Sequence, residues 1–359
     1  MTMKRIRKLL HHLKGLEIDG FLVSSVSNVT YLSNFTGDSS ILMVSANRCM
    51  LLTDGRYTEQ ARQECHADIE IVKWINNKRF GIETYQHVVS ELNIKKLGFE
   101  GPIMSFSSYE MLRKGLNNTE LVNIEGCIEK IRQVKDTAEI GYLKTACQIS
   151  VRAFEVTLPL VKDGITEKEL AARLDYNLRD QGADAVSFDT IVLAGARTSL
   201  LHGKPESHVI KKGDFVLFDF GALYKGYHAD ISRAFIMGKP SPQQKELYDI
   251  IQQAQMAGVM SLKSGVSGRR PDEMVRKHIP ENYLPYYYPG LGHGVGIQIH
   301  EEPFLGQSSE AILTKDMVFT IEPGIYIPGW GGLRIEDTVW ITGKSVVILT
   351  DFPREMMVL

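Results

Sequence analysis

The stretch FDFGALYKGYHADISR, residues 218 to 233, sets two carboxylates, Asp219 and Asp230, inside what otherwise reads as a pair of β-strands. With LYKG (223 to 226) as the turn, the two aspartates stand opposite each other, give or take one residue if Gly226 forms a bulge. Like charges directly opposed across a ladder destabilise it, because their Cβ atoms are only about 5 Å apart. Something positive is expected between them.

A second stretch repeats the device. In FTIEPGIYIPGWGGLRIEDT (319 to 338), Pro328 and Gly329 signal a turn, and a hairpin centred there sets Glu322 opposite Glu336. Between the two hairpins lies GLGHGVGIQIHEEP (290 to 303), read as a Gly-rich strand over 292 to 300. It offers His293 as a nitrogen ligand among glycines that let backbone approach closely. His300 lies seven residues on, so both imidazoles reach one cleft only if the chain twists or bulges at a glycine. Four carboxylates converging on a partly dry site repel by several kcal/mol each unless a multivalent cation compensates.

Outward from these hairpins a repeated order appears. A helix after Asp136 carries Ile140, Leu143, Cys147, Val151 and Phe154 on one stripe, and a second opens at Thr166 with a capping box closed by Glu169. Strand 186 to 194 and the first hairpin follow. Ser241, Pro242 and Gln244 then cap another helix, a shorter one starts near Pro271, and the Gly-rich strand and second hairpin complete the series. Helix starts at 137 and 242 lie 105 residues apart, as nearly do the hairpin centres, which implies two α-α-β halves related by a pseudo-twofold. Upstream, a helix over 4 to 16 and strands at 20 to 25, 41 to 46 and 48 to 54 predict a smaller α/β unit. The boundary is placed within 124 to 136, giving domains 1–130 and 131–359.

Composition excludes other classes. A net charge of -2 provides no footprint for nucleic acid or an anionic membrane. The basic start, MTMKRIRKLLHHLK, is broken by His11, His12 and Lys14 and reads as a surface helix rather than a signal peptide, and no apolar run of membrane-spanning length occurs. Four cysteines without CxxC spacing suit a reducing compartment, so a cytoplasmic protein is expected. The Gly-rich run fails the GxGxxG pattern, and neither a Walker A sequence nor HExxH is present.

DFGALYKGYHADISR, GLGHGVGIQIHEEP, TIEPGIY and GGLRIEDT, in this order and spacing, resemble the metallopeptidase group of methionine aminopeptidase and prolidase. The likeness is strongest to bacterial Xaa-Pro aminopeptidases and Xaa-Pro dipeptidases. TDGRYTEQA (53 to 61), VTYLSNFTG (29 to 37) and IRQVKDTAEI (131 to 140) extend it over nearly the whole chain. The resemblance implies an α+β fold: a pita-bread catalytic domain, creatinase/aminopeptidase-like, of two pseudo-twofold halves behind a creatinase-type α/β amino-terminal domain. It implies two divalent metal ions on Asp219, Asp230, His293, Glu322 and Glu336, manganese leading with cobalt or zinc possible, since hard or borderline ions prefer oxygen ligands with a single imidazole.

The activity so implied is hydrolysis of the N-terminal Xaa-Pro bond through a metal-bridging hydroxide. Glu322 is the expected proton shuttle. His202, in SLLHGKPE, and His300 are expected to stabilise the tetrahedral intermediate or orient the scissile carbonyl. Arg334 is expected to orient a ligand or meet a substrate carboxylate. The expected partners are a peptide with proline second and, by resemblance, a second copy in a homodimer; no nucleic acid and no membrane are expected. One departure stands out: members acting on proline peptides often carry histidine four residues before the ligand histidine, where this chain has Pro289. A broader-specificity aminopeptidase of the same fold is therefore the alternative, with a creatinase-like amidinohydrolase or a non-catalytic peptide-binding homologue as more remote ones.

Overall fold

Three of the helices begin where a side chain satisfies their first amides. Asp136 accepts from the amides of Ala138 and Glu139, and the Glu139 carboxylate accepts from the amide of Asp136, starting helix Thr137–Thr157. Thr166 with Glu169 does the same for Glu167–Asp180, and Ser241 with Gln244 for Pro242–Met260. Each such box satisfies donors the helix itself leaves open. A short helix, Arg270–Arg276, completes the second pair. The computed structural model describes residues 2–359, with one compact unit ending at Arg132 and a second beginning at Gln133.

The first unit is built on a six-stranded sheet in the order Ile69–Lys73, Cys49–Thr53, Ser40–Ser45, Gly20–Val23, Lys96–Phe99, Glu120–Asn123. Its three middle antiparallel strands are buried along their whole lengths and read as continuous apolar runs, because both faces of the sheet are covered. Helix Val26–Ser33 follows the first strand directly and ends on Asn34 in the left-handed conformation.

In the second unit each half has its own sheet. The first half pairs Ile231–Ile236 with Phe215–Phe220 and the latter with Ile191–Ala194. Phe154 of the long helix packs there against Phe218, Phe220, Phe235 and Phe352, ring centroids 4.8 to 5.5 Å away. The second half orders Glu301–Gly306, Gly290–Gly294, Val318–Ile321, Asp337–Ile341 and Val346–Ile348 in one sheet.

Three local expectations are corrected. The strand placed over 186 to 194 is two strands, Ala185–Val186 and Ile191–Ala194, separated by a bend. The Gly-rich strand ends at Gly294, and 295 to 300 is a loop. In the first hairpin the turn is Tyr224 to Tyr227, with Lys225 (φ 52°) and Gly226 (φ 77°) both left-handed, so Asp219 pairs with Ser232 rather than with Asp230. This slip is even, and an even slip preserves the face: Asp230, two residues before Ser232, stays beside Asp219. The second hairpin has the expected register, with Gly324 opposite Arg334 and Ile321 opposite Asp337 on either side of Glu322 and Glu336.

Candidate metal centre and active site

Both hairpins are interrupted where they carry their acids. The first leaves its ladder at Gly221 and at Ala229 and Asp230; the second at Glu322 and Pro323 and at Ile335 and Glu336. The backbone bonds released there go elsewhere, as complete accounting of buried amides requires. The amide of Glu322 donates to the carbonyl of Leu291, and that of Glu336 to the carbonyl of Ser232. A Cβ at Gly221 would collide with the carbonyl oxygen of Ala229, so only glycine permits the first kink.

The kinks bring the acids together. All eight candidate residues, Asp219, Asp230, His293, Glu322, Glu336, His202, His300 and Arg334, line one cavity of about 710 Å³ in the second unit. Ligand atoms of Asp230, His293 and Glu336 all lie within 4.8 Å of one another, a group able to hold a metal ion. His293 Nε2 is 3.6 Å from Asp230 Oδ2 and 3.3 Å from Glu322 Oε1. Its Nδ1 is 3.0 Å from the Gly294 carbonyl, which fixes the proton on Nδ1 and leaves Nε2 as the donor atom for a cation.

The two halves are tied across this cavity by residues that sequence reading passed over. Ser232 Oγ donates to Glu336 Oε2 at 2.7 Å and accepts from Arg334 Nε at 2.8 Å. Arg334 also donates to Asp219 Oδ2 and to the Tyr326 hydroxyl, both at 2.6 Å. Of the two roles open to Arg334, these bonds place it on a carboxylate of the chain itself. Thr320 accepts from the amide of His293 and donates to Glu322 Oε1 at 2.9 Å. Ser232 and Thr320 each stand two residues from an acid and so share its strand face; that parity was the signal available for them.

Electrostatics points the same way. Burial, then repulsion from Glu336, Asp219 and Glu322, holds Asp230 well above the usual carboxylate range. Burial and the charges of Glu322 and Asp219 do the same to Glu336. Burial also raises Asp219, against the attraction of Arg334. Glu322 ends lower than usual because the hydrogen bond and charge of His293, with Arg334, outweigh its burial. His293 in turn ends higher, burial being overcome by the bond to Glu322. Asp219 Oδ1 is buried and has no hydrogen-bond partner among the described residues. An orphaned carboxylate oxygen, raised acids and an imidazole whose Nε2 faces two carboxylates together fit a divalent cation centre.

The two histidines outside this set are placed differently. His300, exposed on the loop after Gly294, stands with its ring 4.3 Å from that of His293 at 77°; partial loss of hydration on its cavity side, followed by the charge of His293, lowers its pKa. His202 is exposed on the cavity wall. Pro289 is exposed as well, between Tyr288 and Gly290, which line the cavity.

Fold and site define the class: the chain belongs to metallopeptidase family M24, matched over residues 141–343, and carries a creatinase/prolidase N-terminal domain over residues 5–134. It is thus a metal-dependent peptidase of the pita-bread fold. Over 357 residues it is 34% identical to an Xaa-Pro dipeptidase of Pyrococcus horikoshii, covering 99% of each chain. Among solved structures it is similar to an Xaa-Pro dipeptidase from Bacillus anthracis (40% identity, TM-score 0.95, 100% of each chain). It is also similar to an X-Pro aminopeptidase from Thermotoga maritima (37% identity, TM-score 0.92, 99% of each chain).

Proposed function

We propose that this peptidase hydrolyses the bond between an N-terminal residue and a following proline. The observation that carries the reading is the convergence of four carboxylates and three imidazoles on one cavity. Similarity to proteins named for Xaa-Pro cleavage supports the substrate class. Apolar side chains of Phe188, Leu201 and Ile299 on the same cavity suit a pyrrolidine ring.

Asp219, Asp230, His293, Glu322 and Glu336 would hold two divalent ions. Manganese is favoured, with cobalt and zinc next, because the donors are mostly carboxylate oxygen. Ions so held supply Lewis acidity to the scissile carbonyl and make water acidic enough to react near neutral pH. Against its burial, the charge of Arg334 and the hydrogen bond from Thr320 favour the ionised form of Glu322, which would take the proton of the attacking water and return it to the leaving nitrogen. His300, with His202, donates a hydrogen bond to the oxygen on which negative charge develops. Arg334 and Ser232 hold Asp219 and Glu336 in place across the two halves. A cytoplasmic homodimer completes the reading; four free cysteines suit a reducing compartment, and the dimer rests on family resemblance.

The test is hydrolysis of Ala-Pro, Ala-Pro-Ala and Ala-Ala by EDTA-treated protein with and without added manganese. Metal-dependent cleavage of the proline peptides, preferred about tenfold or more over Ala-Ala, is expected. Survival of the proline peptides while Ala-Ala is cut would show that Pro289 has redirected specificity and would overturn the substrate assignment.

A further inference from the structure

One buried ion pair is used by none of the steps above. Lys135 Nζ lies 2.8 Å from Glu301 Oε1, with side chains only 1% and 5% exposed. Burying such a pair gains little stability, since desolvation offsets most of the attraction; what it can secure is one conformation of the chain around it.

Lys135 stands on firm ground. Its amide donates to the carbonyl of Asp316 at 2.9 Å, and the next residue, Asp136, caps the 21-residue helix Thr137–Thr157. Glu301 is less firmly placed by its neighbours in sequence. It follows His300 and closes the loop 295 to 300 by pairing with Gly294. Its carboxylate fills the space a side chain at 296 would take, because a Cβ on Gly296 would collide with Oε1. The loop folds over that carboxylate: Gly296 donates to the carbonyl of Gln298 at 3.0 Å, and His228 donates its amide to the carbonyl of Gly296 at 2.9 Å. The amide of Gln298 is 3.5 Å from Glu301 Oε2. On the cavity side of the same loop stands His300.

We propose that Lys135 and Glu301 are positioning residues: their buried pair pins loop 295 to 300 in the conformation that carries His300 to the scissile carbonyl. This rests on the reading of His300 as a hydrogen-bond donor in the reaction. Without Lys135 the buried carboxylate loses its cation, the loop folded over it shifts, and a displacement of about 1 Å at a donor costs on the order of a hundredfold in rate.

The experiment compares Lys135→Met, Lys135→Arg, Glu301→Gln and Gly296→Ala with the parent protein, and combines Glu301→Gln with His300→Ala. The readouts are kcat and KM on an Xaa-Pro peptide, metal content, and amide hydrogen exchange across 294 to 302 in EDTA-treated protein. Expected are a kcat loss of about 10- to 100-fold with KM within about twofold and full metal content, and faster exchange over the loop. Lys135→Arg should restore most of the rate. Gly296→Ala keeps both charges but pushes the carboxylate aside, and should show the same loss; it and Lys135→Arg carry the test if Lys135→Met does not fold. In the His300→Ala background Glu301→Gln should cost nothing further. Unchanged loop exchange, or equal losses in both backgrounds, overturns the proposal while leaving His300 its role. A His300→Ala enzyme with full kcat removes that role and the positioning claim together.

Discussion

At the scale of single residues, the site concentrates acids where acids resist ionising. Asp230, Glu336 and Asp219 are raised, each by burial first, and His293 is raised by its bond to Glu322 despite burial. A carboxylate or imidazole whose folded pKa is raised gives stability that is full below its unfolded value and lost as pH rises through the folded one. Glu322, His300 and His228 are lowered, His228 by burial to about 4, and work in the opposite sense, but their contribution is complete once pH passes the ordinary imidazole value near 6.5. Above about pH 6.5, therefore, where only the raised groups still titrate, metal-free protein should lose thermal stability as pH rises. Surface acids held low by arginine hydrogen bonds, Asp54 by Arg56 and Glu110 by Arg113, each at about 2, titrate below that window. Manganese must displace the same protons, so the gain in Tm on adding it should grow with pH. Thermal melts of EDTA-treated protein at several pH values check this, and a Tm that rises toward pH 8 without metal contradicts it. The acids were legible in the sequence because each breaks an apolar strand. Ser232, Thr320 and Tyr326 were harder to see: face parity sets Ser232 and Thr320 beside an acid, but a hydroxyl in a strand is ordinary and the bonds it makes are what reveal its use.

At the scale of elements, the first hairpin shows where pattern reading runs out. Helix starts were plain because Asp136, Thr166 and Ser241 each announce themselves with a partner three residues on. The turn did not announce itself. A two-residue turn with both central residues left-handed normally takes Asn-Gly, and here the first position is Lys225, an L-residue at φ 52°. Reading LYKG instead of YKGY shifts the pairing by two, a change to which the hydrophobic pattern is blind because it preserves the face. The loop 295 to 300 escaped notice for a related reason: a run of glycines specifies no face, so nothing in it marks where the strand stops. Lys225→Asn replaces the strained residue by one that tolerates the conformation. It should stabilise the second unit by about 0.5 to 1 kcal/mol, a rise of roughly 1 to 4 °C in Tm, with kcat/KM unchanged. Differential scanning calorimetry reads the shift, and a lower Tm means that the turn does not limit the ribbon.

At the scale of the whole molecule, the chain holds separate cores. One surrounds Leu22, Met43, Leu52 and Leu97 in the first unit; others, around Phe154 and around Ile251 and Phe319, belong to the second. The candidate metal ligands all come from the second unit, and a ligand stabilises only the cooperative body whose folded state binds it. Calorimetry should thus resolve two transitions, only one of which moves when manganese is added. At a concentration about a hundredfold above Kd the gain is about 2.7 kcal/mol, or roughly 5 to 10 °C for a unit of this size. The cysteines report the same division chemically. Burial pushes the thiols of Cys49 and Cys65 up to about 11 and that of Cys127 up to about 12, and it raises fully buried Cys147 as well. At pH 8 a thiol of pKa 11 is about one part in a thousand thiolate, so native protein should resist iodoacetamide until its unit opens. Cys49, Cys65 and Cys127 lie in the first unit and Cys147 in the second. Alkylation during stepwise heating, read by peptide mass, should show manganese delaying the labelling of Cys147 and leaving the other three unaffected. If all four are delayed together, or if the protein melts in one transition that shifts as a whole, the two units fold as a single cooperative body and metal binding in one stabilises both.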